Sequence, residues 1–215
     1  MKAAINGGRA RAEHPAIPIT LEEQAKDAAA VIAAGAGAIH VHVRGSDGRE
    51  SLEPDDIARA VEKIRGACPG TLVGVSTGAW IVADTRRRLS LIRDWSVLPD
   101  FASVNVHEEG AIDVIRLLLE RGVGVEAGVW NAGAAKVLRG SGLAHECLRV
   151  LIEPAEDGGD AMTNFAEIEA ALGQAPPSRL LHGFGASAWG FVALAAERER
   201  QSVILGDVAT FVTLC

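Results

Sequence analysis

Hydrophobic positions along this chain follow two rhythms. Short, nearly unbroken apolar runs lie over residues 2–6, 37–43, 71–76, 101–105, 123–127, 147–152, 179–182 and 202–205. Between them, over 21–34, 54–65, 84–93, 111–120, 132–139, 164–172 and 187–198, the stretches are longer and amphipathic. The first kind predicts short strands buried on both faces, as in a parallel sheet; the second predicts helices. Helix starts are well marked. Thr20-Leu21-Glu22-Glu23 is a capping box, and Glu53-Pro54-Asp55-Asp56 puts a proline and two acids into a first turn.

Eight strand signals, each but the last followed by a helix signal, form the pattern of an α/β (β/α)8 TIM barrel, read as one domain over 1–215. A doubly wound open sheet fits the alternation too. No Gly-x-Gly-x-x-Gly opens a helix after a strand, which weakens its dinucleotide-binding version. The chain is short against the roughly 250 residues usual for such a barrel. Its sequence ends at Cys215, soon after the eighth apolar run, so the last helix is expected to be missing or vestigial.

In a barrel, site residues come from the C-terminal ends of the strands. Those ends are unusually polar here: Asn6-Gly7-Gly8-Arg9, His40, His42 and Arg44, Ser76-Thr77-Gly78, Asn105 with His107, Glu126, Glu153, His182-Gly183 and Gly206-Asp207. Polar loops account for the Asn and Gly in this set. They account poorly for three strand-end histidines and Glu126, and this one-sidedness points to an enzyme. His40 and His42 alternate with Val41 and Val43, so the two imidazoles share one face of a strand. A divalent metal, most often zinc, is the usual user of neutral imidazoles held this way. The bland alternative is a pair of hydrogen-bonded core histidines.

Composition narrows the classes further. A formal net charge of -7 weighs against nucleic-acid binding. The triplet Arg86-Arg87-Arg88, in a helical stretch, reads as a solvated face. Cys68, Cys147 and Cys215 are widely spaced with no Cys-x-x-Cys, which indicates neither a disulfide framework nor a cysteine zinc site. Met1–Ile5 is too short for a signal-peptide core, and no apolar run reaches membrane-spanning length. A cytoplasmic protein is expected, with no membrane and no nucleic-acid partner.

Several residues offer chemistry. Arg44 could grip a substrate carboxylate as a planar two-donor fork, or could pair with Asp47. Ser76 and Thr77 offer hydroxyls for anchoring an anion. Glu126, inside the mostly apolar 125–130 run, needs a partner or a raised pKa; acid–base work and a charge partner for a cationic substrate are both open. Glu13 lies in the loop after strand one, within reach of a barrel mouth.

Asn6-Gly7-Gly8-Arg9, Glu13-His14-Pro15, Ile17-Pro18-Ile19-Thr20 and Glu23 resemble the opening of the β-keto acid cleavage enzymes, the family of 3-keto-5-aminohexanoate cleavage enzyme. So do Ala33-Ala34-Gly35-Ala36 before His40-Val41-His42-Val43-Arg44, Val75-Ser76-Thr77-Gly78, Ala102-Ser103-Val104-Asn105, and Glu126 before Val129-Trp130-Asn131. The resemblance runs in order along nearly the whole chain. It implies a zinc-dependent TIM barrel that exchanges acyl units between a β-keto acid and acetyl-CoA, giving acetoacetate and a new CoA thioester. It implies Zn2+ held by His40 and His42, with Arg44 and Ser76 anchoring the keto-acid carboxylate, Asn105 beside it, and Glu13 and Glu126 lining the substrate pocket.

One position departs from that pattern. The family's third zinc ligand is a glutamate near the end of strand eight, in a Gly-Leu-Glu-Asp element followed by a longer tail. Here Ile204-Leu205-Gly206-Asp207 stands in its place and the chain ends soon after, short at the C-terminus against the family. Either Asp207 serves as ligand or catalytic group, or water or another chain completes the site, or metal binding is impaired. The alternatives to a full enzyme are thus a metal-impaired barrel acting as a binding or assembly subunit, or an aldolase-like, metal-dependent lyase. A homo-oligomer is expected, since a barrel with an incomplete last element gains by association.

Overall fold

The computed structural model describes residues 1–154, 160–173, 178–183, 187–198 and 201–205, the last five as backbone only. Gly206, Asp207, Cys215 and the expected vestige of a last helix lie outside the described residues. The chain divides into two units, one built on Met1–Asp100 and the other on Phe101–Val203.

In the first unit, strands and helices alternate as β1 (Lys2–Ala4), α1 (Leu21–Ala33), β2 (Ala38–Val41), α2 (Pro54–Ala67), β3 (Leu72–Ser76) and α3 (Thr85–Arg93). The strands run parallel in the order β1-β2-β3, with Ala4 opposite His40 and His40 opposite Gly74. All four residues of β2 are buried, as its unbroken apolar run predicts. The capping box forms: Thr20 Oγ1 accepts from the Glu23 amide, and Glu23 Oε2 accepts from the amides of Thr20 and Ile19 at 2.9 Å each. α3 starts on Asp84, whose carboxylate accepts from the Arg87 amide.

The arginine triplet is not the solvated face that its charge suggests. Arg86 and Arg87 are exposed, but Arg88 is buried with Leu91 and Ile92. Those three residues are spaced i, i+3, i+4, so helical periodicity turns Arg88 inward. Under this layer Trp95 is buried and donates its indole N–H to the Leu52 carbonyl at 3.0 Å.

The second unit continues the alternation with β4 (Phe101–Asn105), α4 (Ala111–Glu120), β5 (Gly124–Val129), α5 (Ala132–Ser141), β6 (Arg149–Ile152), α6 (Ala161–Leu172), β7 (Arg179–Leu181), α7 (Ala188–Glu197) and β8 (Gln201–Leu205). Its strands are also parallel, paired in sequence order from β4 to β8. Two boundaries differ from the sequence reading for local reasons. A short 3-10 turn, Leu143–His145, delays β6 to Arg149. α6 begins before Asn164, because Asp160 caps it by accepting from the Met162 amide.

Cys68 and Cys147 are free, buried thiols. Burial pushes both up, Cys147 to about 11 with Glu146 adding to the effect, so neither is a reactive thiolate at neutral pH. Among the described residues, no helix is long and apolar enough to cross a membrane.

Candidate functional site

In the first unit, the polar residues expected at the strand ends gather around His42. The Asn6 side chain replaces a strand neighbour beyond the end of β1. Its Nδ2 donates to the His42 carbonyl and its Oδ1 accepts from the His42 amide, both at 2.8 Å. The His42 ring lies edge-on to that of His40, with centroids 5.2 Å apart. The spacing in sequence thus does bring the two imidazoles together. On its other side the His42 ring stacks on Trp80, at 6.1 Å and 21°.

Behind His42 stands Glu50. The 44–50 segment doubles back as a tight loop, with Arg44 and Glu50 paired as an antiparallel bridge. That return places Glu50 Oε1 2.5 Å from His42 Nδ1, while Trp80 Nε1 donates to Glu50 Oε2 at 2.9 Å. Burial alone would raise the Glu50 carboxyl. The hydrogen bond and charge of His42, then Trp80 and Arg44, outweigh it and hold the group below the usual carboxylate range. An ionised carboxylate only accepts, so His42 donates from Nδ1; in a neutral imidazole that leaves the lone pair on Nε2.

Arg44 is buried, which lowers its pKa from the ordinary arginine value, while Glu50 and Glu13 offset part of that effect. Its Nη2 donates to the carbonyls of Gly7 and Arg9, at 2.6 and 2.9 Å, and so holds the loop after β1. The alternative pairing with Asp47 is not what forms: Asp47 accepts instead from the Arg49 amide. Glu13 is exposed and accepts from the Ala10 amide at 2.7 Å. Ser76 and Thr77 are buried at the end of β3, where Ser76 Oγ accepts from the Gly78 amide. A groove of about 620 Å³ between α1 and α2, lined by Leu21, Glu22, Arg59, Glu62 and Lys63 among others, contains none of these residues.

The second unit carries its own strand-end group, with a similar arrangement. His182 Nδ1 lies 2.5 Å from Glu153 Oε1, and Trp130 Nε1 donates to Glu153 Oε2 at 2.6 Å. Asn105, at the end of β4, donates to Glu108 at 2.9 Å. Gly128, its partner on β5, leaves room for both: a Cβ there would lie 2.8 Å from Asn105 Oδ1 and 3.2 Å from Glu153 Oε2. His107 is exposed and packs on Trp130, with centroids 5.0 Å apart.

Glu126 is not at a strand end, because β5 continues through Val129. It is fully buried, and Arg149, its neighbour on β6, brings Nε to 2.7 Å from its Oε1. The partner that its sequence context called for is thus present, in Arg149. The residues that sequence reasoning passed over are Glu50, Trp80 and Trp130. Each lies in a loop with no periodic signal, and the two tryptophans act on carboxylates distant in sequence.

Two imidazoles from one strand end, one with a carboxylate behind its Nδ1, make a donor set that suits zinc. Among the described residues, no three or more His, Cys, Asp or Glu side chains are grouped to hold a metal ion. Any third protein ligand would have to come from elsewhere in the sequence.

Comparison with known proteins gives the family of the chain. Residues 1–140 match the family model of the beta-keto acid cleavage enzymes. The chain is 41% identical over 105 residues to a 3-oxoadipate:acetyl-CoA acetyltransferase of Cupriavidus necator, covering 48% of this chain and 36% of that protein. It is 32% identical over 145 residues to a 3-keto-5-aminohexanoate cleavage enzyme of Fusobacterium nucleatum, covering 61% and 52% respectively. It therefore spans about a third to a half of the length of these relatives. Among solved structures, apo ObcA aligns with a TM-score of 0.63 at 14% identity, covering 89% of this chain and 55% of ObcA. That likeness is one of fold alone, a TIM-barrel-like succession of parallel strands and helices. On the match of its first 140 residues, this chain belongs to the beta-keto acid cleavage enzyme family.

Proposed function

We propose that this chain takes part in zinc-dependent cleavage of a β-keto acid, exchanging an acyl unit with acetyl-CoA to give acetoacetate and a CoA thioester. The observation that carries the proposal is His42, held on its backbone by Asn6 and on its ring by Glu50, in a chain whose family acts on β-keto acids. His40 and His42 would hold the metal, which when bound would polarise a keto carbonyl as a Lewis acid. In the first unit, Ser76, Thr77 and Glu13 are the substrate-facing candidates. Arg44 shapes their surroundings by fixing the Gly7 and Arg9 carbonyls and supplies positive charge beside them. In the second unit, Asn105 is the substrate-facing candidate, and Glu126 supports it from deeper on the same face of β5 as Gly128.

The finer reading of the fold belongs to the same proposal: a single (β/α)8 barrel over 1–215. Eight strands in unbroken β/α alternation support it. A cytoplasmic, homo-oligomeric protein is part of the same proposal.

The test is acetoacetate release from a panel of β-keto acids with acetyl-CoA, run beside zinc analysis. Wild type should release acetoacetate from at least one of them and hold zinc; a His40→Ala/His42→Ala double variant should do neither. Equal zinc content in the two proteins sinks the metal assignment, and no release from any β-keto acid sinks the activity.

A second reading rests on Gly206, which stands where the resemblance places a glutamate ligand. On that reading the chain binds zinc weakly and turns over slowly. Gly206→Glu should then tighten zinc in a chelator competition. If wild type already binds as tightly, Asp207→Asn is the variant to try next.

A further inference from the structure

His42 is over-determined for a histidine that only fills a core. Its backbone N–H and C=O are both taken by one side chain, Asn6. One ring nitrogen is taken by Glu50 at 2.5 Å, and one ring face by Trp80. Trp80 is itself tied to the other oxygen of the same carboxylate. Gly78 exists in the shape this needs, because a Cβ there would lie 2.3 Å from the Trp80 ring. The indole is half-exposed, so hydrophobic burial does not account for its position. What the arrangement does fix is the direction of Nε2 and, in the neutral ring, the tautomer that leaves a lone pair there.

We infer that Glu50 and Trp80 are positioning residues for His42, Glu50 setting its tautomer and ring angle and Trp80 locking Glu50 from the opposite side. The inference rests on the reading of His42 as a metal ligand and names how this chain prepares it. A ligating imidazole whose other nitrogen donates to a carboxylate is oriented and made more basic, and loss of that partner commonly weakens metal binding by about 10–100-fold. Trp80 acts one step further out. Removing its N–H should therefore cost less than removing the Glu50 charge.

The experiment has a metal-free arm and a metal arm. In the metal-free protein, 15N NMR of the His42 ring should show the Nδ1–H tautomer in wild type. Glu50→Gln, which keeps the shape but can donate as well as accept, should give a mixture. In the metal arm, zinc affinity is measured by competition with a chromophoric chelator for wild type, Glu50→Gln and Trp80→Phe. Glu50→Gln should bind about 10–100-fold more weakly. Trp80→Phe, which keeps a ring for stacking and loses only the N–H donor, should fall between the two. An Nε2–H tautomer in wild type overturns the inference, as does zinc binding by Glu50→Gln within twofold of wild type. Should wild type take up no zinc at all, the zinc assignment of the proposed function fails, and the tautomer comparison alone decides whether Glu50 orients the ring.

Discussion

Glu126 Oε1 lies 2.7 Å from Arg149 Nε, with the carboxylate wholly buried between neighbouring strands. Arg149 also sits over the Phe101 ring, its guanidinium carbon 5.6 Å from the centroid. Removing one partner of such a pair leaves the other charge buried and uncompensated, which typically costs about 3–5 kcal/mol. Glu126→Gln should therefore lower stability by about that amount in a denaturant titration. Glu126→Gln/Arg149→Met should recover much of the loss. A single variant as stable as wild type would show that the pair contributes nothing net, and would return Glu126 to the list of purely functional residues.

Gly128 makes a second, independent prediction. An added methyl would press on Asn105 Oδ1 at 2.8 Å and on Glu153 Oε2 at 3.2 Å. Both are side chains held by other bonds, Asn105 to Glu108 and Glu153 to His182 and Trp130. Overpacking of this kind costs about 1–3 kcal/mol. Gly128→Ala should show that loss in thermal or chemical unfolding, together with a change in the His182 ring NMR signals. An unchanged His182 spectrum would mean that the cluster yields without strain.

Gly78→Ala should behave differently, because the neighbour it displaces is a half-exposed indole and not a buried side chain. The Trp80 ring, 2.3 Å from the added atom, is half-exposed and can swing into solvent by giving up its bond to Glu50 and its stack on His42. Stability should fall by about 1 kcal/mol, the usual net contribution of the one hydrogen bond given up. Tryptophan emission should shift to the red as the indole gains water. Emission identical to wild type would mean that Trp80 keeps its place and the backbone moves instead.

The start of α1 sets an acid limit on stability. Glu23 is held at about 2, well below the ordinary glutamate value of 4.5, by the amides of Thr20 and Ile19 and by Arg11. A carboxyl with a depressed folded-state pKa stabilises fully above its unfolded value, and that contribution fades as pH falls toward the folded one. The window is thus from about 4.5 down to about 2. Glu23→Gln should be less stable than wild type at pH 7 and converge with it near pH 2. Parallel stability curves across that range would assign the acid loss to other groups.

Much of this was legible in the chain. The apolar runs located all eight strands, and Thr20, Asp84 and Pro54 marked helix starts, because these signals are local and periodic. The His-x-His face was readable for the same reason, since alternation in a strand fixes which side chains share a side. Arg88 was legible in principle from its spacing to Leu91 and Ile92, although its charge argued otherwise. Glu50 and Trp80 were not. They meet across 30 residues, through a loop that doubles back, and no short-range pattern encodes that contact. Arg44 was recognised as a fork, but its bonds to the Gly7 and Arg9 carbonyls were not legible, because backbone acceptors leave no trace in side-chain identity. Glu126 was legible in part, since a carboxylate in an apolar run announces a partner without naming it.

The bond between Asn6 and the His42 backbone has a consequence for how motion can be observed. The His42 amide lies past the end of β2, where strand protection normally ceases, yet it donates to a buried side chain and not to water. Its hydrogen-exchange rate therefore measures the opening of one side-chain lock, separately from the fraying of the strand. Slow exchange at His42 beside fast exchange in the following loop would follow that lock directly. Asn6→Ala should release that single amide while leaving the amides inside β2 slow.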